Sequence, residues 1–231
     1  MGRVSSMKWT EEAKAYCPKG LAGNPPFVAW MARHLGDGLL VDCGASVGAV
    51  CVATLLAAGP GARAVAFEPQ MRSADVLVEL VKANKVDVKL YRKAVADEIG
   101  QALLKYPVDR SISGWATIAD TPDFFEAKAK QVQSMSEWVD VTTLDTWWEE
   151  AGKPDVQVVK IDTQGAEPNV LKGGAEMFTA TAPYLFIEKH APTLAEHGYL
   201  IADLIEAIES FGYEWEPANK NNLRCWKKGL A

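Results

Sequence analysis

From residue 38 onward, short apolar runs alternate with stretches of helical periodicity, and this alternation constrains the fold more than any other feature. The runs GLLVDC and ARAVAFE are typical of strands buried on both faces, and the Ala- and Val-rich stretch Val47–Ala58 between them predicts a helix. Repeated strand–helix–strand units require right-handed crossovers between parallel strands. The sequence therefore predicts an α/β fold with a doubly wound sheet.

The same alternation of predicted strands and helices extends to the end of the chain. A second helix over Arg72–Asn84 precedes a third strand, VDVKLYRKAV. Further predicted elements are, in order, a helix over Asp145–Ala151, the strand DVQVVKID, a helix over Glu167–Leu171, the strand APYLFIEKH and a helix over Leu200–Ser210. The last two runs, YEWEP and LRCWKK, flank the turn-like ANKNN, so we expect a terminal hairpin.

Two regions depart from this alternation of strands and helices. Residues 1–37 carry helical patches at Trp9–Ala15 and Phe27–Leu35 around a loop rich in Gly and Pro, which predicts an N-terminal helical cap before a main domain of residues 38–231. Residues 97–141 are polar and irregular, with a helical stretch at Asp123–Gln133 and a strand-like WVDVTTL. Long irregular segments inside a compact domain often have a function, such as binding a ligand or covering an active site.

Composition excludes several classes of partner. The net charge of -6 and the absence of a basic stripe argue against nucleic-acid binding, which needs clustered Lys and Arg. No run approaches the ~20 apolar residues that cross a bilayer, and the first residues lack the apolar stretch of a secretory signal, so we expect none. Cys17, Cys43, Cys51 and Cys225 have neither metal-binding nor disulfide-framework spacing, so we predict free thiols in a cytoplasmic protein that binds no membrane.

The first strand leads into the pattern DxGxxxG, formed by Asp42, Gly44 and Gly48. Glycine allows a close backbone approach at the carboxyl end of a parallel strand, where doubly wound sheets bind ligands. A dinucleotide site would instead carry GxGxxG, and the charge of Asp42 would oppose a phosphate but suit a cationic ligand. The alternative is that these residues form only a turn at the strand end.

Further polar side chains follow the other strands at the same rim. Glu68 comes directly after the second strand, where a carboxylate can accept hydrogen bonds from both ribose hydroxyls, although it could also be a solvated turn residue. Asp162 follows the strand DVQVVKI, and it could equally cap the next helix. Glu188 and His190 follow at the end of the next strand, so we expect all four near one crevice.

These segments together resemble the FkbM family of S-adenosylmethionine-dependent methyltransferases, from about Leu39 to His190. The matching pieces are VDCGASVG, AFEP, KAVADEIG, SISG, VTTLDTWW, VVKIDTQGAEPNVLKGG and PYLFIEKH. The resemblance implies a Rossmann-like class I methyltransferase fold, with a mostly parallel seven-stranded sheet and a terminal antiparallel hairpin. It also implies S-adenosylmethionine as the methyl donor.

The resemblance further implies which residues contact the cofactor. These are Asp42, Gly44, Ser46 and Gly48 around the methionine part, Glu68 at the ribose, Ala94 and Val95 near the adenine, and Asp162 on the same rim. Two positions depart from the family pattern. Ser46 stands where Asn is usual but can still form hydrogen bonds, whereas Gln164 replaces the usual Glu and removes a charge beside the expected reaction centre.

The acceptor of the methyl group is left open by the sequence. We expect O-methylation of a small-molecule or sugar-like hydroxyl, with N-methylation of an amine or amide, including a peptide, as the alternative. Asp162, Glu188 and His190 are the candidate catalytic groups, because a hydroxyl acceptor must lose a proton. No metal site is predicted, and residues 105–136 are expected to help cover the acceptor.

Two other classes of function remain open at this point. An NAD-dependent oxidoreductase shares the first strand–loop–helix unit and the ribose-binding acid, but the GxGxxG pattern is missing. A nucleoside-binding module without catalysis is suggested only by Gln164. The apolar edge near the Trp-rich tail suggests a homodimer.

Overall fold

The computed structural model describes residues 7–17, 21, 25–109, 115–119 and 133–229. The strands in chain order are β1 Leu39–Cys43, β2 Arg63–Phe67, β3 Asp87–Tyr91, β4 Ala94–Val95, β5 Gly100–Pro107, β6 Ser134–Thr142, β7 Val158–Ile161, β8 Tyr184–Glu188, β9 Tyr213–Pro217 and β10 Asn222–Lys227. The described helices are α1 Glu11–Tyr16, α2 Pro26–Leu35, α3 Ala49–Ala58, α4 Met71–Asn84, α5 Leu144–Glu150, α6 Glu167–Lys172, α7 Ala175–Thr181, α8 Ala191–Glu196 and α9 Ile201–Ser210.

The main sheet has seven strands in the order β3-β2-β1-β7-β8-β10-β9. Strands β3, β2, β1, β7 and β8 run parallel, and β10 pairs antiparallel with both β8 and β9. The predicted α/β class, the seven-stranded sheet and the terminal antiparallel hairpin are therefore confirmed. The strand order reverses between β1 and β7, which is where doubly wound sheets place their ligand crevice.

Alternate residues of β1 enter two different cores because side chains of a strand point to opposite faces. Leu39, Val41 and Cys43 pack with α5, α6, α7 and α9 on one face. Leu40 packs on the other face, with α2 and α3. Both faces of β1 are thus covered, which explains why its sequence is apolar almost throughout.

One predicted strand is wrong in its extent. The run VDVKLYRKAV was expected to form one strand, but it divides into β3, in the main sheet, and β4, in a second sheet of order β4-β6-β5. Arg92 and Lys93 separate the two parts, and β4 pairs parallel with β6. The pairing with β2 therefore stops at the end of β3, because the residues of β4 align with Val141 and Thr142 of β6 instead.

The region expected to be irregular contains this second sheet. β5 and β6 form a long antiparallel pair from Gly100 opposite Val141 to Pro107 opposite Ser134. The strand-like WVDVTTL corresponds to part of β6, but β5 was missed because its sequence shows no strict alternation. The helix predicted at Asp123–Gln133 falls almost entirely outside the described residues.

The two N-terminal helices pack directly on the main domain. Met7, Ala13 and Tyr16 share a core with α3 and α4, and Lys8 exchanges hydrogen bonds with Asn84 at the end of α4. The N-terminal helices thus pack on α3 and α4, and the boundary at residue 37 stays a prediction. In the described part of the chain, no helix combines the length and apolar character needed to span a membrane. The four cysteines are free.

Candidate active site

A cavity of about 520 Å³ lies at the carboxyl ends of β1, β2, β7 and β8. Its volume is within the range of about 300 to 1,000 Å³ that small-molecule sites occupy. The predicted site residues on its wall are Gly44, Ser46, Glu68, Ala94, Val95, Asp162, Glu188 and His190. The tertiary structure thus brings together residues that lie far apart in the sequence.

Asp42 lies beneath this cavity and is fully buried. Its Oδ1 accepts a hydrogen bond from Nζ of Lys160 at 2.9 Å, and the same ammonium donates to the carbonyl oxygen of Gly44 at 3.0 Å. Burial of Lys160 opposes its charge, but the nearby carboxylates of Asp42 and Asp162 outweigh that effect and raise its pKa. The charge of Asp42 is therefore balanced within the protein, and its contact with a ligand stays a prediction.

The two glycines of the DxGxxxG pattern have different surroundings. Gly44 has a φ of +77°, and a Cβ at this position would overlap the carbonyl oxygen of Asp162. Its lack of a side chain therefore lets the ends of β1 and β7 approach each other, besides forming part of the cavity wall. Gly48 begins α3 with a φ of +76°, and a Cβ there would lie 2.7 Å from Cγ of Leu77. Gly48 thus serves helix packing behind the cavity.

Glu68 is held rigidly at the cavity wall. Its Oε2 accepts a hydrogen bond from the backbone N–H of Ser46 at 2.7 Å, and its Oε1 accepts one from the N–H of Gln70 at 2.8 Å. Burial raises the pKa of Glu68 to about 7, although both backbone bonds favour the charged form. Each carboxylate oxygen keeps a further lone pair for a ligand, so the group can accept hydroxyl donors.

Asp162 and Glu188 form a carboxyl pair that is bridged by Gln164. Nε2 of Gln164 lies 3.0 Å from Oδ1 of Asp162 and 3.1 Å from Oε2 of Glu188, so it donates to both. Burial, followed by the charges of Asp162 and Glu167, raises the pKa of Glu188 to about 9. Glu188 therefore keeps its proton at neutral pH and can donate a hydrogen bond.

The loop that carries Asp162 and Gln164 is fixed by Glu167, the first residue of α6. One oxygen of this buried carboxylate accepts from the N–H of Thr163 at 2.8 Å, and the other accepts from the N–H of Gly165 at 3.0 Å. Burial raises the pKa of Glu167 to about 7. The alternative that Asp162 caps this helix is wrong, because Ala166 precedes α6 and no side chain caps its N-terminus.

The outer part of the cavity is formed by segments far from the strand ends. Tyr16 and Cys17 reach it from α1, and Trp115, Ala116 and Ile118 reach it from the middle segment. The hydroxyl of Thr117 contacts Nε2 of His197 at 3.2 Å, which ties this segment to the end of α8. The expectation that residues 105–136 help to cover the acceptor stays a prediction.

Sequence reasoning overlooked three charged residues at this site. Lys160 interrupts an otherwise apolar strand, and that interruption was the available signal for an ion pair. Glu167 is predicted only as the first residue of a helix, and Lys93 of the cavity wall falls in the run predicted as one strand. Among the described residues, no group of three His, Cys, Asp or Glu side chains is arranged to hold a metal ion.

Comparison with known proteins identifies the family of this chain. The profile of the methyltransferase FkbM domain matches residues 42–215 of the chain. No curated protein sequence matches the present chain significantly. The structure is similar to that of the methyltransferase FkbM from Methylobacillus flagellatus KT, with 18% identity and a TM-score of 0.53 over 81% of this chain and 43% of that one. The present chain thus spans less than half the length of that protein.

Two further crystal structures share the fold. The O-methyltransferase from Bacillus cereus in complex with SAH is 8% identical, with a TM-score of 0.51 over 88% of this chain and 81% of that one. A protein from Corynebacterium glutamicum is 12% identical, with a TM-score of 0.53 over 97% and 93% of the two chains. These similarities concern the fold, which is that of class I methyltransferases. Because the family profile extends over most of the sequence, the chain belongs to the FkbM methyltransferase family.

Proposed function

We propose that this chain transfers a methyl group from S-adenosylmethionine to a hydroxyl group of a small-molecule or sugar-like acceptor. One observation carries the proposal: Glu68, Asp162 and Glu188, from the ends of three parallel strands, line a single cavity of about 520 Å³. Family membership and the SAH complex of the Bacillus cereus O-methyltransferase support the choice of cofactor.

The donor set of the inner cavity suits this cofactor. Glu68 offers two fixed carboxylate oxygens to the ribose hydroxyls, and the buried residues Ala94 and Val95 offer a small apolar surface to the adenine. Gly44 and Ser46 lie on the wall near the end of β1, where the methionine part is expected. Bound S-adenosylmethionine supplies a methyl group on a positively charged sulfur, and the acidic lining favours a cation of this kind.

Transfer to a hydroxyl oxygen forms a C–O bond, breaks the C–S bond and releases the hydroxyl proton. Asp162 and His190 line the cavity and can receive this proton, whereas Glu188 already carries one at neutral pH. Displacement at a methyl group depends mainly on alignment in a site from which water is excluded. Trp115 and Ile118 cover the outer cavity and would exclude water there.

Transfer to nitrogen is the second candidate. Three acidic side chains line the cavity, Glu68, Asp162 and Glu188, together with the basic Lys93. This acidic lining attracts an amine, and it also accommodates a hydroxyl group. Fragmentation of the methylated product by mass spectrometry distinguishes an O-methyl from an N-methyl group.

The experiment that tests the proposal is calorimetry with S-adenosylmethionine, S-adenosylhomocysteine and NAD. We expect the first two to bind with micromolar affinity and NAD to give no heat. Glu68→Gln should weaken S-adenosylhomocysteine binding about 10-fold or more, because a charged hydrogen-bond acceptor is lost. Glu150→Gln, at an exposed glutamate of α5, is the matched control and should bind as the wild type does.

Identification of the acceptor follows from incubation with labelled S-adenosylmethionine and candidate metabolites. Label in a small neutral hydroxylated product supports the proposal. Tight binding of NAD, or unchanged binding of S-adenosylhomocysteine by Glu68→Gln, would contradict it.

A further inference from the structure

We propose that Gln164 is a positioning residue whose side-chain amide holds Asp162 and Glu188 together as one carboxyl pair facing the cavity. This inference rests on the proposed function, since it gives the pair its place beside the reacting groups. It assigns a role to the position at which this chain departs from the usual glutamate.

The geometry of the amide carries the inference. Nε2 of Gln164 lies 3.0 Å from Oδ1 of Asp162 and 3.1 Å from Oε2 of Glu188, so its two N–H groups can serve one carboxyl group each. All three side chains line the same cavity. Without this bridge, two carboxyl groups at the ends of neighbouring strands would repel each other when both are ionised.

The backbone around Gln164 is shaped to place this amide. Gln164 has a φ of +57°, in the left-handed region that a non-glycine residue adopts at a cost. The loop is held there by Glu167, which accepts the backbone N–H groups of Thr163 and Gly165. The left-handed backbone and the loop held by Glu167 thus place the side-chain amide between the two carboxyl groups.

Acidic neighbours of Glu188 favour its protonated form. Asp162, which follows β7, and Glu167 of α6 add negative charge near it, whereas Lys160 of β7 opposes their effect, and His190 follows it before α8. β10 places the uncharged Asn222 opposite it. Burial and the two neighbouring acids raise the pKa of Glu188 to about 9. The neutral amide bridges the two acids without adding a charge, whereas a glutamate here would place a third acid beside them.

The pair therefore offers the acceptor a hydrogen-bond donor at Glu188 and acceptor oxygens at Asp162. A hydroxyl or amine fits these two groups, because it can donate a proton to one and accept from the other. A phosphate or carboxylate on the same part of the acceptor would be disfavoured beside these two acids. The pair thus favours a neutral or cationic acceptor group.

The test follows the titration of Glu188 directly, by NMR of protein labelled with ¹³C at the glutamate carboxyl carbons. We expect one signal to titrate near pH 9, and Glu188→Gln should remove it, which assigns the signal. Gln164→Met has a similar shape but no donor, and should raise the pH of half-titration by about 1 or more. Gln164→Glu is the second variant, and should add another carboxyl signal that titrates above its usual range.

Gln101 supplies the matched control. Its Nε2 also donates to a carboxylate, Oδ1 of Asp140 at 3.1 Å, but on the exposed part of β5. Gln101→Met should leave the Glu188 signal unchanged. A signal that titrates at the wild-type pH in folded Gln164→Met, or in Gln164→Glu if the methionine variant does not fold, would overturn the inference.

Calorimetry with S-adenosylhomocysteine on the same samples separates this inference from the proposed function. Failure of the wild type to bind S-adenosylhomocysteine would refute the proposed function. A shift of the Glu188 titration in Gln164→Met would still show that Gln164 bridges the two carboxyl groups. Binding by the wild type together with an unmoved titration would refute only the role of Gln164.

Discussion

Nζ of Lys160 lies 2.9 Å from Oδ1 of Asp42, and both side chains are buried between the central strands β1 and β7. Neighbouring positions in the register bring them together, because Asp42 is aligned with Lys160 across the two parallel strands. The ion pair fixes the two strand ends between which the cavity opens.

We expect Lys160→Met to lower the free energy of unfolding by about 3 to 5 kcal/mol, because the substitution leaves the carboxylate of Asp42 buried without its partner. The double variant Asp42→Asn, Lys160→Met should lose less, since no unpaired charge remains. Urea unfolding followed by circular dichroism measures both values. Equal losses in the single and double variants would show that the pair is not the cause.

Glu188 makes the stability of the protein depend on pH. Its pKa rises from a usual value of 4.5 to about 9, so its contribution is fully present below about pH 4.5 and is lost as the pH rises to about 9. Glu188→Gln mimics the protonated form, so this variant should be more stable than the wild type at pH 9 and similar to it at low pH. Urea midpoints across this pH range provide the measurement, and parallel curves for the two proteins would contradict the prediction.

Gly44→Ala should destabilise the fold and abolish cofactor binding, because the added Cβ would collide with the carbonyl oxygen of Asp162. Gly198→Ala is the control, since Gly198 has almost the same φ of +78° but no atom within 4 Å of the added Cβ. This control should lose only about 1 to 2 kcal/mol, from the left-handed backbone alone. Thermal unfolding and binding of S-adenosylhomocysteine compare the two, and similar losses would argue against close strand contact at Gly44.

Cofactor affinity should increase with pH around the pKa of Glu68, which burial raises to about 7. The ionised carboxylate accepts two hydroxyl donors, whereas the protonated group has one acceptor fewer. We expect the affinity for S-adenosylhomocysteine to rise between about pH 6 and 8, and Glu68→Gln to flatten this rise. Calorimetry at several pH values provides the test. A rise that persists in Glu68→Gln would have to come from another group, such as Glu167.

The sequence alone determined most strands of the main sheet, most of the helices and the rim of the site. Periodicity and glycine spacing identified the alternating strands and helices, and the acidic residues that follow β2 and β7 were correctly expected at one crevice. These features are local, because the face and the end of a parallel strand follow from its own residues.

Only the tertiary structure decided how these residues are paired. The balance of Asp42 by Lys160, the bridge from Gln164 to Asp162 and Glu188, and the transfer of β4 to a second sheet all depend on contacts between distant segments. Strand register and loop conformation set such contacts, and no single segment encodes them. The sequence thus placed the acidic groups at one rim, and packing decided which side chains each of them contacts.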